Sequence, residues 1–258
     1  MKMKNRHLIV IIFGLVLAAG LVLAEKKSNN LKISGSGSVS GGDYDKIEIS
    51  GTGDIDGDVR ANEIEVSGSA DFKGNIQAKK VEAGGSLKMQ GLLTADIVHS
   101  SGSIKVTGKL QTKEFHSSGS ASFENLDADT VTSSGSISAL QDITADYFSS
   151  TGKFEIGGTL KADKIEVKLA GDSSAKTVKG KVIEVRQYSS LVSKVVKSFL
   201  TADKIQGDEL YLENVNAKLV KGKTVKIGPR CNIDVVEYKD TVSVDPQSRV
   251  GKQSKVLF

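Results

Sequence analysis

Apolar and small residues recur along residues 31–185 in pairs, and the complete pattern repeats every 16 or 17 residues. The two members of each pair are separated by one residue, so in an extended strand both side chains point to the same face. Each repeat contains three such pairs, at its positions 1 and 3, 7 and 9, and 13 and 15. Short glycine-containing or polar segments separate the pairs. The pattern therefore predicts three short strands and three tight corners in every repeat.

Glycines at the first corner define the length of the repeat, and we expect glycine there because a corner needs backbone angles that a Cβ atom disfavours. They are Gly35, Gly51, Gly68, Gly85, Gly102, Gly119, Gly135 and Gly152, at successive steps of 16, 17, 17, 17, 17, 16 and 17 residues. Position 1 lies four residues before each glycine, and positions 1 and 13 supply two predicted columns of core side chains. The first column is Ile47, Ile64, Val81, Val98, Phe115, Val131, Phe148 and Ile165, and the second is Val59, Ile76, Leu93, Leu110, Leu126, Ile143 and Leu160.

These features predict an all-β fold, a right-handed parallel β-helix with a triangular cross-section and about 17 residues per coil. Equivalent residues of successive coils should then stack in parallel strands about 4.8 Å apart. We expect a right-handed path because parallel crossovers are right-handed in nearly all proteins. An α-helical solenoid does not fit, since it requires apolar residues spaced by three and four.

Serine replaces the aliphatic residue at position 3 of the middle repeats, at Ser100, Ser117, Ser133 and Ser150. In a solenoid these hydroxyls point inward, and buried hydroxyl groups require hydrogen-bond partners. Two arrangements would satisfy this requirement: stacked serines that bond to one another, or a strand that is locally shifted.

The repeat is interrupted after residue 185. Residues 186–203 form an insertion in which Val192, Val196, Phe199 and Leu200 would share one face of a short amphipathic helix. That face is a candidate contact with a membrane or a partner protein, and the alternative is that it covers the solenoid. Alternation resumes less regularly over residues 204–245, which we interpret as irregular terminal coils or a cap. Residues 246–258 form a polar tail.

The N-terminus carries an apolar segment over residues 8–24 that contains no charge and, as a helix, is at the short end of a membrane span. We predict either a membrane anchor or a cleaved signal segment over residues 1–24, followed by a linker over residues 25–30. The basic residues before the segment predict that the remaining chain lies outside the cytoplasm, although two lysines also follow it. The apolar side chains of this hydrophobic helix are Leu8, Ile9, Val10, Ile11, Ile12, Phe13, Leu15, Val16, Leu17, Leu21, Val22 and Leu23.

Composition narrows the class of protein. The chain of 258 residues has 27 glycines, 2 prolines, no tryptophan and only 5% aromatic residues, which suits extended strands with frequent turns. Its net charge of +4 arises from 35 basic and 31 acidic residues that are mixed along the chain, so nucleic acid is not a predicted partner. The single cysteine, Cys231, excludes an intramolecular disulfide and a cysteine-only zinc site.

Two histidines are the strongest candidates for chemistry. His99 and His116 occupy position 2 of adjacent repeats, where side chains point outward, and Glu82 occupies the same position one repeat earlier. Two imidazoles beside a carboxylate could hold a metal ion. Two ligands make a weak site, however, and duplication of the repeat also explains the spacing. We therefore predict solvated side chains and no metal site.

Other motifs do not predict a site. Asp54, Asp56 and Asp58 alternate at a corner but lack the ligand order of a calcium-binding EF-hand loop, which favours solvated acids. Residues 222–224 (Gly-Lys-Thr) match the end of a phosphate-binding P-loop, but Ala217 stands where the opening glycine belongs. Sugar-binding surfaces are usually aromatic, and here the tyrosines are scattered. We predict that the protein is not an enzyme and has no catalytic residue and no cofactor.

The repeats have the form I-x-[IVS]-S-G-S-x-x-[IVF]-x-G-x-[LIV]-x-A-[DK]-x over about residues 31–185. This pattern resembles the bactofilins, polymer-forming cytoskeletal proteins of bacteria, and in particular the longer bactofilin-like proteins of Firmicutes. The resemblance implies a right-handed β-helix, nucleotide-independent polymerisation through the end coils, membrane association, and a scaffold role in cell shape or the envelope. It also implies a location inside the cell. The apolar segment over residues 8–24 departs from typical bactofilins, so the side of the membrane stays open.

The ends of a solenoid expose unpaired strand edges and an apolar cross-section, and nothing in residues 25–30 resembles a cap. We therefore expect a scaffold that assembles end to end into filaments at the membrane. Its expected partners are further copies of itself, the membrane, and other envelope or cell-shape proteins. The alternative is an exported or surface solenoid that binds a ligand or an envelope component without a cytoskeletal role.

Overall fold

The computed structural model describes residues 29–188 and 197–257 of the chain. Throughout these residues the regular structure is β-strand, and no helix is present. The strands are β1 (Asn30–Ile33), β2 (Ser36–Ile49), β3 (Thr52–Val66), β4 (Ser69–Phe72), β5 (Ile76–Ala83), β6 (Ser86–Met89), β7 (Leu93–Ser100), β8 (Ser103–Val106), β9 (Lys109–Ser117), β10 (Ser120–Phe123), β11 (Asn125–Ser133), β12 (Ser136–Ala139), β13 (Ile143–Ser150), β14 (Lys153–Leu169), β15 (Ser173–Lys179), β16 (Val182–Gln187), β17 (Leu200–Leu212), β18 (Val215–Ile227), β19 (Asn232–Val244) and β20 (Arg249–Lys255).

The strands pair in parallel and form a solenoid of about 13 turns with about 17 residues per turn. Each strand lies beside the strand that follows it by one coil. Val59 of β3, for example, is opposite Ile76 of β5, and Ile76 is opposite Leu93 of β7. Successive coils therefore stack in register, and the predicted parallel β-solenoid is confirmed. Its right-handed path and triangular cross-section remain predictions.

The interior of the solenoid is filled by columns of aliphatic and aromatic side chains. Ile64, Val81 and Val98 are directly opposite one another on β3, β5 and β7, and each is fully buried. All other members of the two predicted core columns are also at most 1% exposed. Burial of one large apolar side chain stabilises a fold by about 1.5–3 kcal/mol, so the stacked interior is the main source of stability.

Large rings and small residues compensate one another in the middle coils. The rings of Phe115 and Phe123 meet edge to face inside the solenoid, with their centroids 5.7 Å apart. Ser117 and Ala121 point into the same interior and are buried. Because protein interiors are close-packed, these two small side chains leave the volume that the two rings occupy.

The four position-3 serines remain inside the solenoid. Ser100, Ser117, Ser133 and Ser150 are between 1% and 4% exposed and lie opposite one another on successive strands. No hydroxyl oxygen of the four has a hydrogen-bond partner within the described residues. Neither arrangement expected from the sequence is therefore present. Hydroxyl groups that point in the same direction on successive strands are separated by the strand spacing of about 4.8 Å, which is too far for them to bond to one another.

Glycine at the first corner is required by the close stacking of the coils. A Cβ atom added to Gly68 would lie 2.0 Å from the carbonyl oxygen of Gly51, and one added to Gly85 would lie 2.0 Å from that of Gly68. The backbone angle expected from the sequence is not the cause, because none of these glycines has a positive φ. The corner backbones are in contact, and this contact excludes any side chain.

The coils continue through residues 204–245, where the sequence predicts irregular coils or a cap. β17, β18 and β19 are 13 residues long and pair in parallel. Leu200 is opposite Val215, a step of 15 residues, whereas Asn232 is opposite Arg249, a step of 17. These residues are therefore coils of the solenoid, and their length varies, with a register shift between Gly222 and Thr224. A shorter coil moves the apolar positions out of the seventeen-residue frame, which makes the sequence pattern look irregular.

The structure describes the C-terminal segment of the chain but not the predicted N-terminal helix. Within the predicted polar tail, residues 249–255 form β20, which pairs with β19 from Arg249 to Lys255. The predicted hydrophobic helix of residues 8–24 lies outside the described residues. Over residues 29–188 and 197–257, no helix has the length and apolar character needed to cross a bilayer.

Candidate assembly surfaces at the two ends of the solenoid

The N-terminal end of the solenoid is the outer edge of β1. This strand pairs with β2 along one side, and no strand of the described residues lies along its other side. Leu31 and Val39 are only partly buried, although they belong to columns that are fully buried one coil further on, as at Ile47 and Ile55. Among the described residues, the first coil therefore has a strand edge over residues 31–33 that lies beside no other strand, and a partly exposed apolar layer.

Polar side chains fasten this first coil to the second. The backbone N–H of Asn29 donates to the Asp45 carboxylate at 3.0 Å, and the Lys32 ammonium donates to Glu48 at 2.7 Å. The hydrogen bond from Lys32 holds the pKa of the Glu48 carboxyl below its usual value. These contacts thus hold the first coil in its strand conformation against the second coil.

The C-terminal end is formed by β20 and the last residues of β19. Within the described part of the chain, β20 pairs with β19 alone, and no strand covers its outer edge. Val242 and Val250 are partly exposed, whereas their opposite residues one coil earlier, Val225 and Ile233, are each 1% exposed. The apolar columns of the interior therefore reach the surface at this end too.

The two ends are chemically suited to contact with another solenoid end. Each offers backbone N–H and C=O groups along an open parallel edge, and each exposes part of an apolar column. Such edges are templates for pairing with further strands. The exposed side chains of the C-terminal edge include the cations Arg249, Lys252 and Lys255, which oppose unrestrained association.

The sides of the solenoid carry ion pairs between neighbouring coils. The Lys46 ammonium lies 3.0 Å from Glu65 and 3.5 Å from Glu63, and the hydrogen bond with Glu65 raises the pKa of Lys46. Lys113 and Asp96 are 2.8 Å apart in the same manner. These groups are exposed to solvent, so their contribution to stability is small, but they favour the in-register pairing of coils.

Two of the three acidic side chains at the corner of residues 54–58 have partners on the next coil. The Asp56 carboxylate pairs with the Lys73 ammonium at 2.9 Å, and the Asp58 carboxylate accepts the backbone N–H of Asn75 at 2.8 Å. Asp54 lies on the same strand as both. Among residues 29–188 and 197–257, no group of three or more His, Cys, Asp or Glu side chains converges to hold a metal ion.

The predicted contact face of the insertion is only partly within the described residues. Val192 and Val196 lie outside them. Leu200 is fully buried in the solenoid and is opposite Ser173 and Val215, so its prediction as a partner or membrane contact is wrong. It opens β17 and belongs to a core column rather than to a helix. Phe199, one residue earlier, is partly exposed.

A polar cluster beside the insertion was not predicted from the sequence. Asn214 is fully buried with a φ of 55°, and its amide nitrogen donates to the side chain of Gln187 at 2.5 Å and to the carbonyl of Ser198 at 2.9 Å. Its amide oxygen accepts from Arg230 at 2.8 Å. Asparagine tolerates the left-handed backbone region better than most residues. An asparagine at a corner was therefore the one feature of the sequence that could have indicated a special role for Asn214.

An aromatic contact lies next to this cluster. The Arg186 guanidinium stacks 4.0 Å from the centre of the Tyr211 ring, and the Lys226 ammonium lies 5.3 Å from it. The Tyr211 hydroxyl donates to Glu213 at 2.5 Å, and this hydrogen bond raises the pKa of Tyr211. The cluster around Asn214 and the aromatic contact at Tyr211 together hold β16, from which the insertion departs, and β17, to which it returns.

Comparisons with known proteins give two relatives. The chain is 38% identical over 100 residues to the uncharacterized protein YhbF of Bacillus subtilis (strain 168), a match that covers 38% of the chain and 42% of YhbF. It is 36% identical over 106 residues to the uncharacterized protein YhbE of the same organism, which covers 40% of the chain and 45% of YhbE. The chain thus matches less than half the length of these curated relatives. No family model and no solved structure matches the chain.

Proposed function

We propose that this protein is a structural scaffold that assembles end to end into nucleotide-independent filaments at a membrane and contributes to cell shape or envelope organisation. The observation that carries the proposal is the pair of open edges at β1 and β20. The resemblance of the repeats to bactofilins supports the same function. Catalysis is not part of the proposal.

Assembly would complete at each end the pairing that every interior coil already has. A second solenoid could continue the parallel ladder, so that Val242 and Val250 become as buried as Val225 and Ile233 are inside the rod. The free energy gained comes from apolar surface removed from water and is offset by the lost freedom of two large bodies. Repeated contacts of this head-to-tail kind produce open filaments rather than closed rings when the rotation does not close.

The membrane part of the proposal depends on the apolar residues 8–24, and it extends to envelope or cell-shape proteins as partners. A filament with one apolar segment per subunit would bind a membrane at many points. Such multivalency strengthens attachment far beyond that of one segment. The side of the membrane follows from neither the flanking charge nor the bactofilin resemblance alone, since these two indicate opposite sides.

Substitutions at the two edges test the assembly. Lysine in place of Val250 or Leu31 would put a charge into the proposed contact, and we expect each variant to remain short or monomeric in electron micrographs and in sedimentation velocity. The matched control is Leu140→Lys, because Leu140 is 74% exposed on the side of the rod. Wild-type protein that stays monomeric at high concentration would contradict the proposal, and so would filaments unaffected by both edge variants.

A topology measurement separates the scaffold from the exported solenoid. A reporter fused after Phe258 and active only in the cytoplasm would support a scaffold inside the cell. Activity only outside, together with monomeric protein, would favour a surface solenoid that binds an envelope component. Intact-mass measurement of the purified protein would show whether residues 1–24 are retained.

A further inference from the structure

Two imidazoles and two carboxylates lie together on the side of the solenoid, away from both ends. His99 on β7 is directly opposite His116 on β9, and their ring centroids are 4.9 Å apart. Glu82 is opposite His99 on β5, and a carboxylate oxygen of Glu114 lies 3.5 Å from Nε2 of His116. The sequence alone predicts solvated histidines here, but the approach of Glu114 to His116 adds a carboxylate beside the ring. We infer that the two imidazoles bind one divalent transition-metal ion, and we call His99, His116 and the flanking Glu82 and Glu114 the histidine site.

The β-ladder fixes the two imidazoles on the same face. Val98 and Phe115, the residues before the two histidines, are fully buried, and so are Ser100 and Ser117 after them. Because side chains alternate along a strand, His99 and His116 must both point outward. The strand spacing of about 4.8 Å then places the rings close enough for one nitrogen from each to reach a common ion after rotation of the side chains.

The choice of metal follows from the ligands. Imidazole nitrogen suits Zn²⁺, Cu²⁺ and Ni²⁺ better than Mg²⁺ or Ca²⁺, which prefer oxygen. No third histidine or cysteine lies nearby in the described part of the chain. The ion would therefore keep water, or accept a donor atom from another molecule, at its remaining positions.

The two carboxylates favour a cation at this place. Glu82 accepts a hydrogen bond from the Lys80 ammonium at 2.8 Å, which together with smaller electrostatic contributions holds the pKa of the Glu82 carboxyl below its usual value. Glu114 can accept the Nε2–H of His116, which would leave Nδ1 for the metal. Histidine ligands usually donate their second N–H to a carboxylate in this way.

The site is open to solvent. The two histidines line a surface groove of about 540 Å³ together with Glu65, Ser101 and Ser118. A hydrated ion can enter the groove without movement of the backbone, and oxygen donors can approach its open positions. This inference is independent of end-to-end assembly, since it gives the side of the rod a ligand-binding role that the two ends do not need.

Calorimetric titration of the full-length protein, purified without a polyhistidine tag, with ZnCl₂ tests the site. We expect saturable binding of one ion per chain, weakened at least tenfold in His99→Gln and in His116→Gln. His7→Gln is the matched control, because it removes the third histidine of the chain and should leave the affinity unchanged. Glu114→Gln should weaken binding by less than either histidine variant.

Electron paramagnetic resonance with Cu²⁺ provides a second readout. The wild-type spectrum should show coupling to two imidazole nitrogens, and each histidine variant should show one. Circular dichroism of every variant confirms that the solenoid remains folded, as expected for outward-facing side chains. Absence of saturable Zn²⁺ binding, or unchanged affinity in the His99→Gln/His116→Gln double variant, would overturn the inference.

Discussion

Ser117 lies directly opposite Ser100 in the interior of the solenoid, and neither buried hydroxyl has a hydrogen-bond partner within the described residues. A hydroxyl group that loses its water and gains no partner destabilises a protein by about 1–3 kcal/mol. The same situation continues through Ser133 and Ser150. The serines of the middle coils therefore leave room for the phenylalanine rings, but their unpartnered hydroxyl groups lower the stability of the fold.

Removal of one of these hydroxyls should be harmless or favourable. We expect Ser117→Ala to leave the free energy of unfolding unchanged or to raise it by up to about 1 kcal/mol, since the methyl group keeps most of the volume. Guanidinium unfolding followed by circular dichroism measures the change. Ser118→Ala, on the exposed side of the same corner, is the control. A clear loss of stability in Ser117→Ala would show that the hydroxyl is bonded in solution.

The corner glycines should differ sharply in their tolerance of alanine. In Gly68→Ala the new Cβ atom would meet the carbonyl oxygen of Gly51 at 2.0 Å, and we expect a loss of about 2 kcal/mol or more because the coils must separate. In Gly84→Ala the nearest atom, the carbonyl oxygen of Val66, is 3.8 Å away. That variant should stay within about 0.5 kcal/mol of the wild type in the same unfolding measurement. Equal effects would contradict the stacking argument.

Stability should fall in acid. Lys164 and Tyr147 donate hydrogen bonds to the Glu166 carboxylate and hold its pKa below its usual value of 4.5. Stabilisation from a carboxyl with a lowered folded-state pKa is complete above the unfolded-state value and is lost as pH falls through the folded-state value. Melting temperatures between pH 7 and pH 3 should therefore drop below about pH 4.5.

Glu166→Gln should flatten this acid slope and lower the melting temperature at neutral pH. Glu209→Gln is the control, because Glu209 is exposed and has no ion pair in the described residues. A slope that is the same in wild type and Glu166→Gln would mean that other carboxyl groups determine the acid response.

Salt should promote the proposed assembly. Arg249, Lys252 and Lys255 stand on the C-terminal edge, whereas Lys32 at the N-terminal edge is neutralised by Glu48 at 2.7 Å. Raising the ionic strength to about 1 M shortens the screening length to about 3 Å. This weakens the electrostatic repulsion between subunits, each of which carries a net charge of +4. Light scattering should then detect filaments at lower protein concentration. Assembly that weakens with salt would indicate attraction between unlike charges at the contact.

The core was predictable because a strand has a fixed period. Ile64 and Val81 share a column as a direct result of the seventeen-residue spacing, and no knowledge of tertiary structure was needed. The corner glycines were found from the same spacing, but the reason for them was not. Whether a glycine is needed for its φ or for lack of a side chain depends on how closely the next coil approaches, which the sequence does not encode locally.

The remaining features depend on contacts between distant segments. Leu200 reads as part of an amphipathic helix, and only its place opposite Val215 shows that it belongs to the core. The cluster around Asn214 joins Gln187, Ser198 and Arg230 across an insertion and two coils. The proximity of His99 and His116 was predictable from register, whereas the approach of Glu114 to His116 depends on side-chain orientations that the register does not determine.

The insertion leaves and rejoins the solenoid beside the same coil. The Tyr188 N–H bonds to the carbonyl of Leu169, and the Ser173 N–H bonds to the carbonyl of Phe199, so the ladder is continuous on both sides of the excursion. The chain between these anchors can therefore change in length without altering the pitch of the rod. A fluorescent domain grafted there would project from the flank of each subunit, which offers a way to follow the protein in living cells with both tips left free.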